Sequence, residues 1–507
     1  MTRRVILSCS VGLLLAILNP GDQKDSEAQQ VRDFLVSDSG RTPSVAGDLQ
    51  GGFYVTWSNL NDAVHFAHFN PIGLRLATLD TFEGTNASFT PRLSAMGQYV
   101  AVVWTDEISD VISFFKSYII VGIVPVGAAN SVIYLMANSD PGANYSRGSP
   151  DIAFLNDTLM IAVWCGNGDS TPVVNTGIYG QLLTVSGGRI EDNFFVTDHF
   201  GNSIYNYSPR IISRPGTGNF TVVWEDNSSG WYELYGRKFD LTGTPLGSSF
   251  SISSDSSITY SFHYTIAQDT SGSFMLVWIA NKGDKSQMEW RWYNKNAVAI
   301  TSVQALTPLD TLFNSGSSIS CSCDEENRAV IVWEQNTSQK YVSKIYGQRI
   351  TADRTPLGSP FKISENSQSN ETEIFPDVVI TGGRIFTVWQ TDTSGIEANI
   401  LDFDSIATQV HSGDSQCNSS YSYRLYQNYP NPFNPSTRIS YDLSKAAFVR
   451  LDVYNVLGQV VARFVERSQT AGDYEVQFDA ENLPSGIYFY RLQAGTFTQT
   501  RKMIVLK

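Results

Sequence analysis

The chain has 507 residues, 12% of them aromatic and 17% charged, and a formal net charge of −14. So acidic a chain repels phosphate backbones, and no basic stripe interleaved with aromatics offsets this, so nucleic acid is not an expected partner. Beyond the first twenty residues the cysteines are Cys165, Cys321, Cys323 and Cys417, too few to staple a fold of this size, which must rest on buried apolar surface.

At the N-terminus, Arg3 and Arg4 precede a mostly apolar run from Val5 to Leu18, followed by Pro20-Gly21 and the small-residue site Ser26-Glu27-Ala28. This pattern predicts a secretory signal peptide over 1–28, cleaved after Ala28. The run is shorter than the roughly 20 residues that span a bilayer. Next comes FLVSD at Phe34, a short two-faced segment whose form returns later as FFVTD at Phe194, FSISSD at Phe250 and FKISEN at Phe361.

From there to about residue 410 the chain repeats. Seven segments end on a tryptophan: GGFYVTWSN at Trp57, QYVAVVWTD at Trp104, LMIAVWCGN at Trp164, NFTVVWEDN at Trp224, SFMLVWIAN at Trp278, RAVIVWEQN at Trp333 and RIFTVWQTD at Trp389. The tryptophans are spaced by 47, 60, 60, 54, 55 and 56 residues. In five units a proline, namely Pro43, Pro91, Pro150, Pro209 or Pro376, stands 13 to 15 residues ahead of its tryptophan. Downstream, GIYGQLLTV at Gly177, ELYGRKFDLTGTPLGSSFSISSD at Glu233 and KIYGQRITADRTPLGSPFKISEN at Lys344 add two further extended segments. Each unit thus offers four short strands separated by Gly, Asp, Asn and Ser turns.

Four strands in ~55 residues is the arithmetic of a propeller blade, whereas tandem immunoglobulin-like domains repeat at about twice that length. The prediction is all-β: a β-propeller over 29–410 with seven blades, six or eight being the neighbouring counts. Two segments compete to complete its last blade, FLVSD at Phe34 and IATQV at Ile406. Such a strand removes exposed sheet edges.

The repeated tryptophans read as packing between blades, with large residues needed on both strand faces. Trp231, Trp290 and Trp292 fall outside the repeat position and are the better candidates for exposed sugar-stacking platforms, although Trp290 and Trp292 share a strand face and can pack together. With the proline-led strand innermost, the loop after each tryptophan emerges at the same end of the propeller as the loop joining one blade to the next. It carries Asp106, Glu107, Asp169, Glu225, Asp226, Glu334 and Asp392, candidate binding residues whose carboxylates can hydrogen-bond sugar hydroxyls. Asp is also what turns require. Cys321 and Cys323, two apart on a strand, are too close for an easy mutual disulfide. Neither a metal site, a cofactor nor a catalytic residue is expected: H-E-x-x-H, G-x-S-x-G and the D-x-[DN]-x-[DN]-G calcium pattern are all missing from the sequence.

Residues 411–422 are small and polar without apolar periodicity, as in an exposed linker. The remaining stretch, 423–507, reads YRLYQNYPNPFNPSTRISYDL, then NVLGQVV, ENLPSGIYFYRLQAG and the basic end RKMIVLK. Pro430, Pro432 and Pro435 alternate with Asn428, Asn431 and Asn434 in a segment that must be turn or extended chain. Val449, Leu451 and Val453 then alternate with Arg450, Asp452 and Tyr454 as a two-faced strand, with turns at Leu457-Gly458 and Pro484-Ser485-Gly486.

These blocks, in this order, resemble the C-terminal sorting domain of the type IX (Por) secretion system of Bacteroidetes, a small immunoglobulin-like β-sandwich. The resemblance implies recognition by the type IX translocon and removal by a sortase-like peptidase. It also implies an extracellular or outer-surface destination after periplasmic passage, with attachment to lipopolysaccharide as the one membrane link. For the propeller two functions stay open. One is a secreted or surface-displayed binding protein recognising a glycan or a surface protein. The other is an extracellular glycan-active hydrolase or lyase using carboxylates from different blades.

Overall fold

Seven tryptophan units call for seven sheets, and a computed structural model of the chain contains them. It describes residues 33–404 and 424–506 apart from short internal segments, the longest being 139–146, 168–175, 199–205, 253–262 and 309–317. The expected signal peptide, the linker, Trp231, Asp169 and Cys417 lie outside the described residues. Among the described residues there is no helix, and seven antiparallel four-stranded sheets fill residues 34–402.

Each sheet is a blade whose first strand is innermost. These inner strands are Arg41–Gly47, Phe89–Met96, Arg147–Phe154, Asn206–Ser213, Tyr264–Gln268, Ile319–Cys323 and Glu373–Thr381, for blades 1 to 7. Each touches the inner strands on either side, and Arg41–Gly47 touches Glu373–Thr381, so the contacts close into a ring. Blade 7 takes its outer strand from the N-terminus: Phe34–Ser37 pairs with Ile396–Asp402, Phe34 opposite Ala398 and Leu35 opposite Glu397. Of the two predicted closing segments this is the one at Phe34, and 406–410 lies outside the described residues. Val36 faces inward at 4% exposure while Leu35 faces water, the alternation a half-buried edge strand demands.

The repeated tryptophans are core residues. Trp104, Trp164, Trp224, Trp278, Trp333 and Trp389 are at most 1% exposed, and Trp57 is 3% exposed. Both faces of their strands are covered: Phe220, Val222 and Trp224 pack on Ile161, Val163 and Ile178 of blade 3, while Val223 meets Tyr264 and Leu276 of blade 5. The two platform candidates outside the repeat are also core, which corrects the expectation. Trp290 and Trp292 are fully buried against Ile331, Trp333 and Ile350 of blade 6, and the Arg354 guanidinium lies 4.9 Å from the Trp292 ring. Their strand, Lys285–Tyr293, is sandwiched between blades, so no face of it is left to a ligand.

The YGQ motif has a steric cause. A Cβ on Gly180 would stand 2.7 Å from Cζ of Phe194, and one on Gly236 2.9 Å from Cζ of Phe250. The glycine of the third strand therefore clears space for the phenylalanine of the fourth, and the two motifs recur together because they fit each other. The adjacent glutamine pins the same strand: Gln181 Nε2 donates to Ile190 O at 2.9 Å, and Gln348 Nε2 to Leu357 O at 3.2 Å.

Residues 424–506 form a separate sandwich of two sheets, one with strands in the order 460–469, 447–454, 486–494 and 497–505, the other 424–425, 436–443 and 472–479. The predicted alternation holds, with Val449, Leu451 and Val453 fully buried beside Tyr441, Tyr490 and Leu492. The Asn-Pro segment is tied in by its amides. Asn428 donates its backbone N–H to Tyr490 Oη at 2.7 Å and its Nδ2 to Thr437 Oγ1 at 2.9 Å, and Asn431 Oδ1 accepts from Ile504 N at 2.8 Å. Gly458 takes φ +76° in the predicted turn, and Gly486 opens strand Gly486–Ala494. The cysteines Cys165, Cys321 and Cys323 are unpaired thiols, and burial pushes Cys321 up to about 12.

Candidate functional site

The prolines that open five of the units create the site. In each, the residue before the proline is left-handed: Thr42 (φ 45°), Thr90 (45°), Ser149 (49°), Ser208 (51°) and Phe375 (53°). That is uncommon for a residue with a Cβ, and more so before proline. The pairing register shifts at the same place, so two residues of the inner strand oppose the one tryptophan. This is a β-bulge, the device by which a strand re-aims the next side chain. Blades 5 and 6, which lack the proline, begin their inner strands in regular register, Tyr264 opposite Trp278 and Ile319 opposite Trp333.

One position along, every blade pairs an inner-strand residue with the residue just before its tryptophan. The seven are Ser44, Arg92, Asp151, Arg210, Thr265, Ser320 and Asp377. Together they line a cavity of about 310 Å³ on the ring axis, to which all seven inner strands contribute. All four charged members follow a proline bulge. A second cavity of about 250 Å³, lined by residues further along the inner strands of blades 4, 5 and 6, has no charged residue in its wall.

The carboxylates of this girdle are engaged by neighbouring blades. Asp377 Oδ2 accepts the Val45 N–H at 2.9 Å, and Oδ1 accepts from the Ser320 hydroxyl and from the Val378 N–H at 3.1 Å. Asp151 Oδ2 accepts the Ile211 N–H at 2.9 Å. The guanidiniums are held more loosely. Arg92 Nη1 lies 3.9 Å from Asp377 Oδ2, beyond hydrogen-bonding distance, and about a third of its side chain (32%) remains open to the cavity. Arg210 donates from Nη1 to the Pro209 carbonyl of its own strand at 2.9 Å. Arg210 pulls the pKa of Arg92 below the usual arginine range, with burial adding to this and Asp377 and Asp151 opposing it. Burial raises the Asp151 carboxyl, with Arg210 and Arg92 opposing.

Five of the carboxylates singled out from the sequence lie in the ends of the tryptophan strands, Asp392 lies in the turn just past its strand, and Asp169 is outside the described residues. Asp106, Glu225, Asp226 and Glu334 are strand residues and buried, Glu107 ends up in the strand Tyr99–Ser109, and Asp392 is exposed. Asp226 Oδ2 accepts from Trp224 Nε1 at 3.4 Å. Burial pushes Glu225 up to about 8 against the pull of Arg210, and Glu334 up to about 7 despite a 3.1 Å hydrogen bond from Ser343 Oγ. Both acids are therefore protonated at modest acidity. The girdle residues escaped the sequence reading, although a signal was present: the residue after each repeat proline is Ser, Arg, Asp, Arg and Asp in turn.

Comparisons with known proteins bear on the two parts differently. Residues 427–506 match the family described as the secretion system C-terminal sorting domain. This segment is a type IX sorting domain, and it directs the chain to the cell surface or the extracellular space. A comparison with curated proteins finds no match. Among solved structures, the Trypanosoma rangeli sialidase bound to the inhibitor DANA is similar over 93% of this chain and 89% of its own, at 8% identity and a TM-score of 0.42. A polysaccharide lyase is similar over 75% and 94%, at 9% identity and a TM-score of 0.45. The Penicillium chrysogenum α-L-arabinanase complexed with arabinobiose is similar over 62% and 94%, at 11% identity and a TM-score of 0.39.

Proposed function

We propose that the exported propeller is a binding protein that recognises a glycan at the axial cavity and performs no chemistry on it. The observation that carries this is the state of the girdle carboxylates. General acid–base work needs a carboxyl group free to exchange a proton with the substrate. Asp377 has both oxygens committed to Val45, Val378 and Ser320, and Asp151 commits Oδ2 to Ile211, so at most one girdle carboxyl is open to proton exchange, where glycan hydrolysis takes a pair. What the cavity offers a ligand is instead a wall of polar side chains, with carboxylates held in place by neighbouring blades and guanidiniums that keep donors to spare, the arrangement that confers specificity on small-molecule sites.

The test is a polysaccharide array probed with the purified full-length protein, with parallel assays for new reducing ends and unsaturated uronates. Retention without product is the expected result. Product release replaces this reading with the hydrolase or lyase alternative, and binding confined to protein partners removes the glycan.

A further inference from the structure

We infer that the cavity is an oxyanion site: Arg92 and Arg210, projecting from alternate blades, receive the carboxylate or sulfate of a single acidic sugar unit. This rests on the binding reading of the axial cavity and names the chemistry of its ligand. Guanidiniums drawn partly out of water are ordinarily paired and hydrogen-bonded, because a partner must replace the water they lose. Here two guanidiniums face one cavity with most of their N–H donors unspent. Arg92 has its nearest carboxylate at 3.9 Å, and Arg210 has one bond to its own main chain, among the described residues.

The intervening residue, Asp151, spends Oδ2 on the Ile211 N–H, and Asp377 spends both oxygens on its neighbours, so neither carboxylate completes a forked pair with an arginine. A guanidinium offers parallel N–H groups that match an oxyanion two by two, which an ammonium does not. An anion between Arg92 and Arg210 also relieves their mutual repulsion. At about 310 Å³ the cavity stands at the lower end of the roughly 300–1,000 Å³ of small-ligand sites, room for one sugar unit and its acidic group rather than an oligosaccharide.

The experiment is calorimetric titration of the full-length protein with D-glucuronate, inorganic sulfate and D-glucose at up to about 10 mM, weaker than which affinity ceases to be informative. Glucuronate or sulfate should bind, glucose should bind more weakly, and affinity should fall with added salt. Arg92→Met and Arg210→Met should each weaken the anion by about tenfold or more, and Arg92→Lys should rescue it only in part.

Asp151→Asn, whose amide oxygen still accepts from Ile211, removes a competing negative charge and should tighten anion binding, a gain that misfolding cannot imitate. Which of the two anions binds more tightly separates a uronate from a sulfated sugar. The inference is overturned if neither anion binds, if glucose binds as well as glucuronate, or if Asp151→Asn weakens the anion. If neutral glycans bind on the array and Arg92→Met leaves them unaffected, the binding reading survives and the oxyanion site does not.

Discussion

Asp377 and Val45 are 332 positions apart in the chain, yet the Val45 N–H donates to Asp377 Oδ2 at 2.9 Å. Through this bond the inner strand of the last blade holds that of the first, while the other carboxylate oxygen reaches back to Ser320 of blade 6. One side chain therefore ties three blades at the seam of the ring. Asp377→Ala strands a buried N–H and a hydroxyl, each worth about 1–3 kcal/mol when left unsatisfied. We expect urea denaturation to show a loss of about 2–6 kcal/mol, and Asp377→Asn, which keeps an acceptor, to lose less. An unchanged midpoint for the alanine variant would show that the bond contributes nothing to closure.

The closing strand gives a second prediction. Val36 is 4% exposed and packs in the cluster of Phe53, Phe386 and Ile400 that joins blades 1 and 7. Val36→Asp buries an unpaired charge, and the thermal midpoint should fall by many degrees. Leu35→Asp, on the same strand but 61% exposed, should leave it nearly unchanged. Equal effects from the two would mean that the strand does not hold its register in solution.

Stability should also fall as pH rises. Glu225, 3% exposed, has its pKa raised by burial from 4.5 to about 8, and Glu334 is raised in the same way to about 7. Below pH 4.5 both acids are protonated whether the chain is folded or not, and they contribute nothing to the pH dependence. Between pH 4.5 and 8 the folded state holds protons that the unfolded state has released, so the penalty grows across that window and levels off above it. For Glu225 the total is on the order of 3–5 kcal/mol. Glu225→Gln should match the wild type near pH 4.5 and exceed it in stability at pH 8.5, measured by urea midpoints. Parallel pH curves for the two proteins would rule out this account.

The fit between Gly180 and Phe194 is open to the same kind of measurement. Gly180→Ala places a methyl group 2.7 Å from the Phe194 ring and should destabilise blade 3 by about 1–3 kcal/mol. Pairing it with Phe194→Leu should recover part of the loss, since the smaller side chain makes room. An additive double mutant would show that the two residues do not meet.

In the sorting domain, Asn428 is fully buried and its Nδ2 donates to Thr437. Asn428→Ala leaves Thr437 without this donor and Tyr490 beside a cavity, and should lower the stability of the domain by about 1–3 kcal/mol. In cells the variant should accumulate in the periplasm, read by fractionation. Export at the wild-type level would mean that the amide has no part in presenting the domain.

The ring, its closing strand and the C-terminal sandwich were legible because each rests on a pattern that repeats or alternates along the chain. Seven tryptophans mark seven second strands, the Phe34 segment carries the form of a fourth strand without the three that should precede it, and Val449, Leu451 and Val453 announce one buried face. Trp290 and Trp292 were misread because the sequence shows that they share a face but not that blade 6 covers it. The girdle was hidden for a different reason. Residues 44, 92, 151, 210, 265, 320 and 377 line the axis together only through the pairing register, and in five blades that register is displaced by the bulge at the proline. Alternation counted from the strand start puts such a residue on the wrong side. Glu225 and Asp226 looked like turn residues because Asp and Glu so often are, whereas the strand Asn219–Asp226 extends through both.

Because blade 7 is built from residues near both ends of the propeller, the order of synthesis and the order of assembly are opposed. Phe34 is made among the first residues of the ring and Ala398 among the last, so their pairing waits for more than 360 intervening residues. Contacts of such sequence separation are slow to form. Until then Phe34–Ser37 and Ile396–Asp402 each present unpaired strand edges, the surfaces on which β proteins aggregate. In a chain bound for the outside of the cell, the closing strand can therefore be paired only after the final blade has been made, just ahead of the segment that addresses the chain for export.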